Sequence, residues 1–222
     1  MRKSDFDAHA ISVVEIGDRK IEADASVFFQ SNLGLLPELV NAVRKAVDEG
    51  LASGRATNDW LIDLFSGVGF FACILQDKFK KITTVEREDG CLKHAKVNLS
   101  VPAAVPTTIS AATRNASEIL AASCVPEIEN ISAPAEDWLL ENVVDMPATL
   151  IVDPPRTGLP KEALSAIVKS SVNRLIYVSC DPVTLARDYA KFAEAGFALS
   201  HAEGFAFYPQ TPHLEMMFVL DR

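Results

Sequence analysis

The sequence predicts an α/β fold: a doubly wound, mostly parallel sheet of about seven strands, helices on both faces, and a short β-hairpin in front. Three observations carry this expectation. From residue 59 onward, short apolar runs alternate with segments of helical periodicity, the pattern of strand–helix units that build parallel sheets. Several of the runs end in Gly- or Pro-containing loops that also hold an acidic side chain. The 222 residues are 49% hydrophobic, enough to bury one large core.

The elements follow in order. Residues 12–24 (SVVEIGDRKIEAD) alternate apolar and polar around a Gly-Asp pair, which reads as a hairpin. The loop SVFFQSN (26–32) comes next. Residues 35–49 place apolar side chains at helical spacing, with Pro37 near the start and Gly50 as the stop. DWLIDL (59–64) is a strand leading into a Gly loop, and FFACILQDKF (70–79) is the helix behind it. KITTVE (81–86) is a short β-branched strand, followed by a helix over 88–98. Residues 99–133 are rich in Pro, Ala, Ser and Thr; they read as a surface connection over 99–113, a helix near 116–122 and a strand near 128–132. A short helix at 136–141 precedes the buried strand ATLIV (148–152). A helix at 161–169, the strand RLIYVS (174–179) and a helix at 183–195 capped by Gly196 come next. Strands near 198–205 and 215–220 close the chain. Residues 1–34 are expected to form the hairpin and its loop, and 35–222 the sheet domain.

Charge and composition narrow the function. No uncharged apolar stretch is long enough to cross a membrane, and the N-terminus has no secretory core, so a cytoplasmic protein is expected. Cys73, Cys91, Cys124 and Cys180 form no CxxC pair, which disfavours zinc and iron–sulfur sites; no metal is expected. The net charge of −9 opposes a broad grip on phosphate backbones, which needs Lys and Arg. A nucleic-acid substrate then requires a local positive patch, a partner or another domain.

Five motifs sit where the predicted sheet would bind a ligand, beyond the carboxyl ends of its strands. Asp63 opens DLFSGVG (63–69), whose Gly67 and Gly69 let backbone approach a ligand closely; Phe65 lies between. Glu86 ends the second strand of the pair, about twenty residues on, where an acid commonly takes two ribose hydroxyls. Phe70 and Phe71 follow Gly69, so a full GxGxxG is absent and a nucleoside without pyrophosphate fits better. Asp153 and Arg156 flank two prolines that stiffen the turn after a buried strand. Cys180 follows the next strand, at the same edge, where a thiolate would act as a nucleophile. Glu215, in HLEMM (213–217), could enter the cleft as a general base, although by position alone it reads as a surface carboxylate. The other three cysteines read as packing or surface residues.

FFQSN (28–32), DLFSGVGFF (63–71), TVE (84–86), IVDPPRTGL (151–159), YVSCDPVTLARD (177–188) and HLEMM together resemble the RNA uracil-C5 methyltransferases, which make 5-methyluridine in tRNA and rRNA. The resemblance runs from about residue 12 to the C-terminus. It implies the Rossmann-like fold of S-adenosylmethionine-dependent methyltransferases, that cofactor, and RNA as substrate. It assigns Cys180 as the nucleophile and Glu215 as the base that takes the C5 proton. Gln30 would touch the cofactor or the target base, Phe65 would line the cofactor pocket, Glu86 would hold its ribose, and Asp153 would face its methionine end. Asp63, Gly67 and Gly69 complete the expected cofactor site, and Arg156 and Phe29 are the expected substrate contacts. Arg156, where amino-group methyltransferases usually carry an aromatic residue, points away from an exocyclic nitrogen as target.

The chain departs from the family pattern in places. Phe70 and Pro134 stand where polar residues are common, and neither an N-terminal RNA-binding β-barrel nor an iron–sulfur cysteine cluster is expected within these 222 residues. The resemblance therefore implies a catalytic domain without those parts. The alternatives are a non-catalytic cofactor-binding module and a methyltransferase acting on another substrate.

Overall fold

The computed structural model describes residues 10–17, 19–27, 32–100, 125–211 and 214–222. The strands are β1 (Ile11–Ile16), β2 (Arg19–Asp24), β3 (Trp60–Leu64), β4 (Lys81–Glu86), β5 (Glu127–Ser132), β6 (Ala148–Val152), β7 (Val172–Ser179), β8 (Ala198–Phe205) and β9 (Glu215–Asp221). The helices, in chain order, are α1 (Leu36–Ser53), α2 (Phe70–Leu75), α3 (Asp89–Ser100), α4 (Ala135–Glu141), α5 (Lys161–Lys169) and α6 (Pro182–Glu194). Among these residues no helix is long and apolar enough to cross a membrane.

β1 and β2 pair as the expected antiparallel hairpin, and the other seven strands form one sheet in the order β5-β4-β3-β6-β7-β9-β8. Every pairing from β5 to β7 is parallel; β9 runs antiparallel between β7 and β8. The chain starts this sheet at β3, builds outward to β5, then returns to lay β6 on the other side of β3. That reversal is a topological switch point, where neighbouring loops diverge and leave a crevice.

Strand periodicity divides the core in two. Leu61, Ile82, Ile151, Ile176 and Val178 face one apolar cluster with α1, α2 and the hairpin residues Ile16, Ile21 and Ala23. Ile62, Leu64, Leu150, Val152, Leu175 and Tyr177 face the other, with α4, α5 and α6. Strands covered on both faces read as continuous apolar runs, which is how ATLIV and WLIDL appear in the sequence. The hairpin is also tied to α3: the Glu22 N–H donates to Asn98 Oδ1 at 2.7 Å, and Asn98 Nδ2 donates back to the Glu22 carbonyl at 3.0 Å.

Two helix ends differ from the sequence expectation. α2 stops at Leu75 rather than continuing to residue 79. α1 passes through Gly50 and ends at Gly54, whose left-handed φ of 72° closes the helix. Gly50 is there for space. The buried Arg174 guanidinium lies across the helix, and a Cβ on Gly50 would sit 2.6 Å from its Nη1. Arg174 is held from three sides: it donates to Asp221 Oδ1 and Oδ2 at 2.7 and 2.8 Å and to the Ala46 carbonyl. One side chain thus joins α1, β7 and β9. The connection expected over 99–113 begins inside α3, which runs to Ser100; the rest of it and the helix expected at 116–122 lie outside the described residues.

Gly50→Ala tests this packing. Helix propensity favours alanine by roughly 1 kcal/mol, but crowding a fixed, buried group costs about 1–3 kcal/mol. Denaturant unfolding is expected to show a net loss of about 1–2 kcal/mol with an unchanged slope.

Candidate active site

The carboxyl ends of β3, β4, β6 and β7 and the amino end of β9 share one edge of the sheet, because β9 is antiparallel to the strand beside it. A cleft of about 630 Å³ opens there. Its walls include Phe65, Gly67, Glu86, Asp153, Arg156, Cys180 and Glu215, residues drawn from five different loops or strand ends.

The strand register explains the closest juxtaposition. Ser179 of β7 pairs with Met216 of β9. Cys180 and Glu215 are the next residues outward on each strand, so the thiol and the carboxyl stand side by side at the cleft. Glu215 is only 1% exposed and its Oε1 has no hydrogen-bond partner. Its place at a strand start had read as a surface position; the structure buries it, because β9 is an inner strand with β7 and β8 on its flanks. Burial favours the neutral acid and raises its pKa from 4.5 to about 7.

Cys180 is partly exposed, and its thiol pKa is raised by burial and by the Glu215 carboxyl. The positive charge of Arg156, on the same cleft, works the other way and favours the thiolate. Asp153 lies at the cleft wall, and its pKa is pushed well above the usual range by burial, by Glu215 and by Asp63.

Asp63 is 1% exposed and sits behind the cleft wall rather than on it. Its Oδ2 accepts the Ala72 N–H at 3.0 Å, fixing the first turn of α2, while Oδ1 is buried without a partner. Burial raises its pKa to about 7. The loop between Asp63 and α2 is tightly wound. Phe65 has φ 59°, a conformation a bulky residue adopts at a cost of about 1–3 kcal/mol. Its ring lines the cleft. Gly69 has φ 75° and its Cα faces Ala95, so a side chain there would be both strained and crowded.

Glu86 organises the same loop. Its Oε2 accepts the Gly67 N–H at 2.9 Å and its Oε1 accepts the Glu88 N–H at 2.8 Å. Each oxygen accepts one of these bonds and has capacity for another, and Glu86 lines the cleft, so loop support and ligand contact are compatible. Glu88, Cys91 and Glu136 also line the cleft and were not singled out by sequence. Cys91, expected as a packing residue, is buried at 7% and contributes to the cleft wall through α3. Glu136 stands two residues after the N-cap Pro134, and a carboxylate in the first turn of a short helix is the signal that would have found it. Phe29 and Gln30 lie outside the described residues, as does His213. Asn32, the end of the same motif, is described; its Nδ2 donates to the Phe207 carbonyl at 2.9 Å, beside the cleft residue Tyr208.

Solved structures share this fold. A tRNA (uracil-54, C5)-methyltransferase from Pyrococcus abyssi, solved with S-adenosyl-L-homocysteine, superposes with a TM-score of 0.67 at 24% identity, over 95% of this chain and 44% of that one. Residues 13–222 match the tRNA (Uracil-5-)-methyltransferase family, and the chain belongs to it. An uncharacterized RNA methyltransferase from Treponema denticola is 30% identical over 92% of this chain. A 23S rRNA (uracil(747)-C(5))-methyltransferase from Pyrococcus abyssi is 32% identical over 89% of it. The chain spans 47% and 39% of the lengths of these two relatives.

The raised carboxyl pKa values have a measurable consequence. Between its unfolded value of 4.5 and about 7, Glu215 binds more protons folded than unfolded. Its contribution to stability is therefore lost as pH rises through that window. Glu215→Gln is expected to flatten the decline and to raise stability at pH 8 by up to about 3 kcal/mol, read from urea unfolding at pH 5 and pH 8. An unchanged pH slope in the variant would mean that Glu215 ionises freely in the native protein.

Proposed function

We propose that this chain carries the catalytic unit of an S-adenosylmethionine-dependent RNA uracil-C5 methyltransferase acting through a covalent cysteine adduct. The observation that carries the reading is the side-by-side placement of Cys180 and Glu215 at the open edge of the sheet, beside Asp153 and Arg156. Family membership supports the chemistry. The unit comprises the hairpin and loop of residues 1–34 and the sheet domain of 35–222.

The cleft suits the cofactor. It has the volume of a nucleoside-sized site, an aromatic wall at Phe65, and carboxyls at Glu86, Asp153 and Glu215. A buried carboxyl oxygen on the cleft residue Glu215 has no partner of its own, which suits a cationic ligand. Bound there, S-adenosylmethionine supplies an electrophilic methyl group on a positively charged sulfur. Glu86 is placed to hold the ribose, Phe65 to pack on the cofactor, and Asp153 to meet its methionine end; Asp63, Gly67 and Gly69 shape the loop beneath. Gln30 and Phe29, from the motif ending at Asn32, complete the cofactor and base contacts, and Arg156 contacts the substrate.

Uracil C5 is a weak nucleophile. The Cys180 thiolate adds to C6, and the electrons of the C5–C6 double bond move onto C5 and O4 as an enolate. C5 then takes the methyl group. The Glu215 carboxylate removes the remaining C5 proton, the C5–C6 bond re-forms, and the sulfur leaves with its electron pair. A base with a pKa near 7 is charged often enough to accept that proton at neutral pH and acidic enough to release it afterwards. The target base must be unstacked to reach the cleft, so single-stranded loops of tRNA or rRNA are the substrates. The chain's charge of −9 leaves backbone affinity to a local patch, a partner or another domain.

The test uses purified protein, labelled cofactor and a tRNA and rRNA mixture, with nucleosides read by mass spectrometry. 5-Methyluridine is expected from the wild type. Cys180→Ala is expected to lose at least about 10⁴-fold in transfer while binding cofactor normally by calorimetry. Glu215→Gln is expected to accumulate a methylated RNA–protein adduct that survives denaturation. Methylation by Cys180→Ala at wild-type rate overturns the mechanism. Cofactor binding without transfer to any RNA points instead to a non-catalytic module.

A further inference from the structure

The turn that carries Asp153 and Arg156 packs Leu159 into the core and ties its backbone to a helix. After Val152 the chain leaves β6 and folds over the start of α6, the helix that begins two residues beyond Cys180. The Gly158 N–H donates to the Pro155 carbonyl at 2.8 Å, closing a tight turn over residues 155–158. That turn rests on α6. Arg187 Nη2 donates to the Thr157 carbonyl at 3.0 Å, and Asp188 Oδ2 accepts the Leu159 N–H at 2.9 Å. Arg187 Nε and Nη2 both reach Asp188 Oδ1, at 2.8 and 2.7 Å, so two charged donors converge on one oxygen and hold the pair together. Tyr177 of β7 adds a third tie through its hydroxyl, 2.8 Å from Asp188 Oδ2. Gly158 has φ 76°, and a Cβ there would lie 2.5 Å from Arg187 Nη2 and 2.6 Å from Asp188 Oδ2.

Asp188 is 2% exposed, on a helix that could bury an apolar residue at that position at lower cost. Its two oxygens are fully used: Oδ1 takes Arg187, and Oδ2 takes the Tyr177 hydroxyl and the Leu159 N–H of the loop. The start of α6 is fixed as well: Asp181 caps the helix by accepting the Val183 and Thr184 N–H groups at 3.0 and 2.9 Å. The helix is therefore a rigid spacer. Cys180 adjoins its N-cap, and the Asp153–Arg156 turn is fastened one to two turns further along.

We propose that Arg187 and Asp188 are positioning residues, which act through the Asp153–Pro160 turn to set the Arg156 guanidinium against the Cys180 thiol. Their catalytic meaning rests on the reading of Cys180 as the nucleophile; their effect on the thiol does not. The groups facing Cys180 are Arg156 and Asp153 from the turn and Glu215 from β9. Arg156 alone among them favours the thiolate. Loosening the turn removes that influence and leaves burial and two carboxyls, so the thiol becomes harder to ionise.

The experiment reads Cys180 directly, without RNA or cofactor. The intact chain is alkylated with iodoacetamide across pH 6.5–10, and the Cys180 peptide is followed by mass spectrometry. Asp188→Asn keeps an acceptor for Leu159 and Tyr177 but removes the charge that fixes Arg187. Arg187→Gln is the second variant; that side chain is 55% exposed, so its loss leaves no cavity. Both variants are expected to shift the Cys180 alkylation profile by about half a unit or more toward higher pH, and to slow alkylation at pH 8 by about threefold or more. Arg156→Gln is expected to give the same shift, and adding Asp188→Asn to it no further one. In the methyl-transfer assay kcat is expected to fall about 10–100-fold with the cofactor KM changed less than about threefold, as misplacement of about 1 Å would produce. Wild-type alkylation profiles in both variants, with circular dichroism confirming that each is folded, would overturn the proposal. Shifted profiles in a protein that methylates no RNA would uphold the positioning and remove the proposed function.

Discussion

Burying Glu215 costs free energy, and the arrangement of the cleft depends on that cost being met. A carboxyl with 1% exposure and an unpartnered oxygen is stable only in its neutral form, or beside a positive charge. The strand that carries it is clasped between β7 and β8, and β7 is bound through Arg174 to the far end of the same strand, at Asp221, and to α1. The register is thus fixed at both ends of β9. A slip by one residue would move every β9 side chain to the opposite face and take Glu215 away from Cys180. The buried ion pair at one edge of the sheet secures the buried acid at the other.

The cleft gathers groups that each weaken the isolated fold. Phe65 holds a left-handed backbone, Asp63 and Glu215 leave oxygens unpartnered, and Asp153 is destabilised as an anion by two neighbouring carboxyls. Such features concentrate where a ligand completes what the protein leaves open. Their signs agree. As anions, Asp153 and Glu215 are both relieved by a cation in the cleft they line, and a cationic sulfur is what the proposed reaction brings. Arg156 is the counterweight, a positive group at the mouth that supports the thiolate.

Much of the fold was legible in the sequence, because parallel strands covered on both faces show as short apolar runs with little competing signal. ATLIV and KITTVE matched the observed strands residue for residue, and the hairpin was marked by its Gly-Asp turn. α1 was misjudged at its end for a reason invisible in one dimension. Gly50 resembles a helix stop, yet it serves a guanidinium that arrives from position 174. α2 was overextended since amphipathic pattern continues past Leu75 while the backbone does not.

The site divides in the same way. Sequence by itself marked the candidate site residues, because DPPR and SCDP end apolar runs and strand ends at a switch point face a cleft. It also determined the family, since the order and spacing of these motifs are local properties of the chain. Only the tertiary structure decided that Glu215 is buried beside Cys180, that Asp63 lies behind the cleft rather than in it, and that Glu86 supports the glycine loop through both oxygens. Only the structure showed Asp188 at the hub of the Asp153–Pro160 turn. These outcomes depend on strand order, on the antiparallel direction of β9, and on contacts between residues dozens of positions apart. Burial and the resulting shifts in acidity arise from neighbours that folding brings together, which no local pattern encodes.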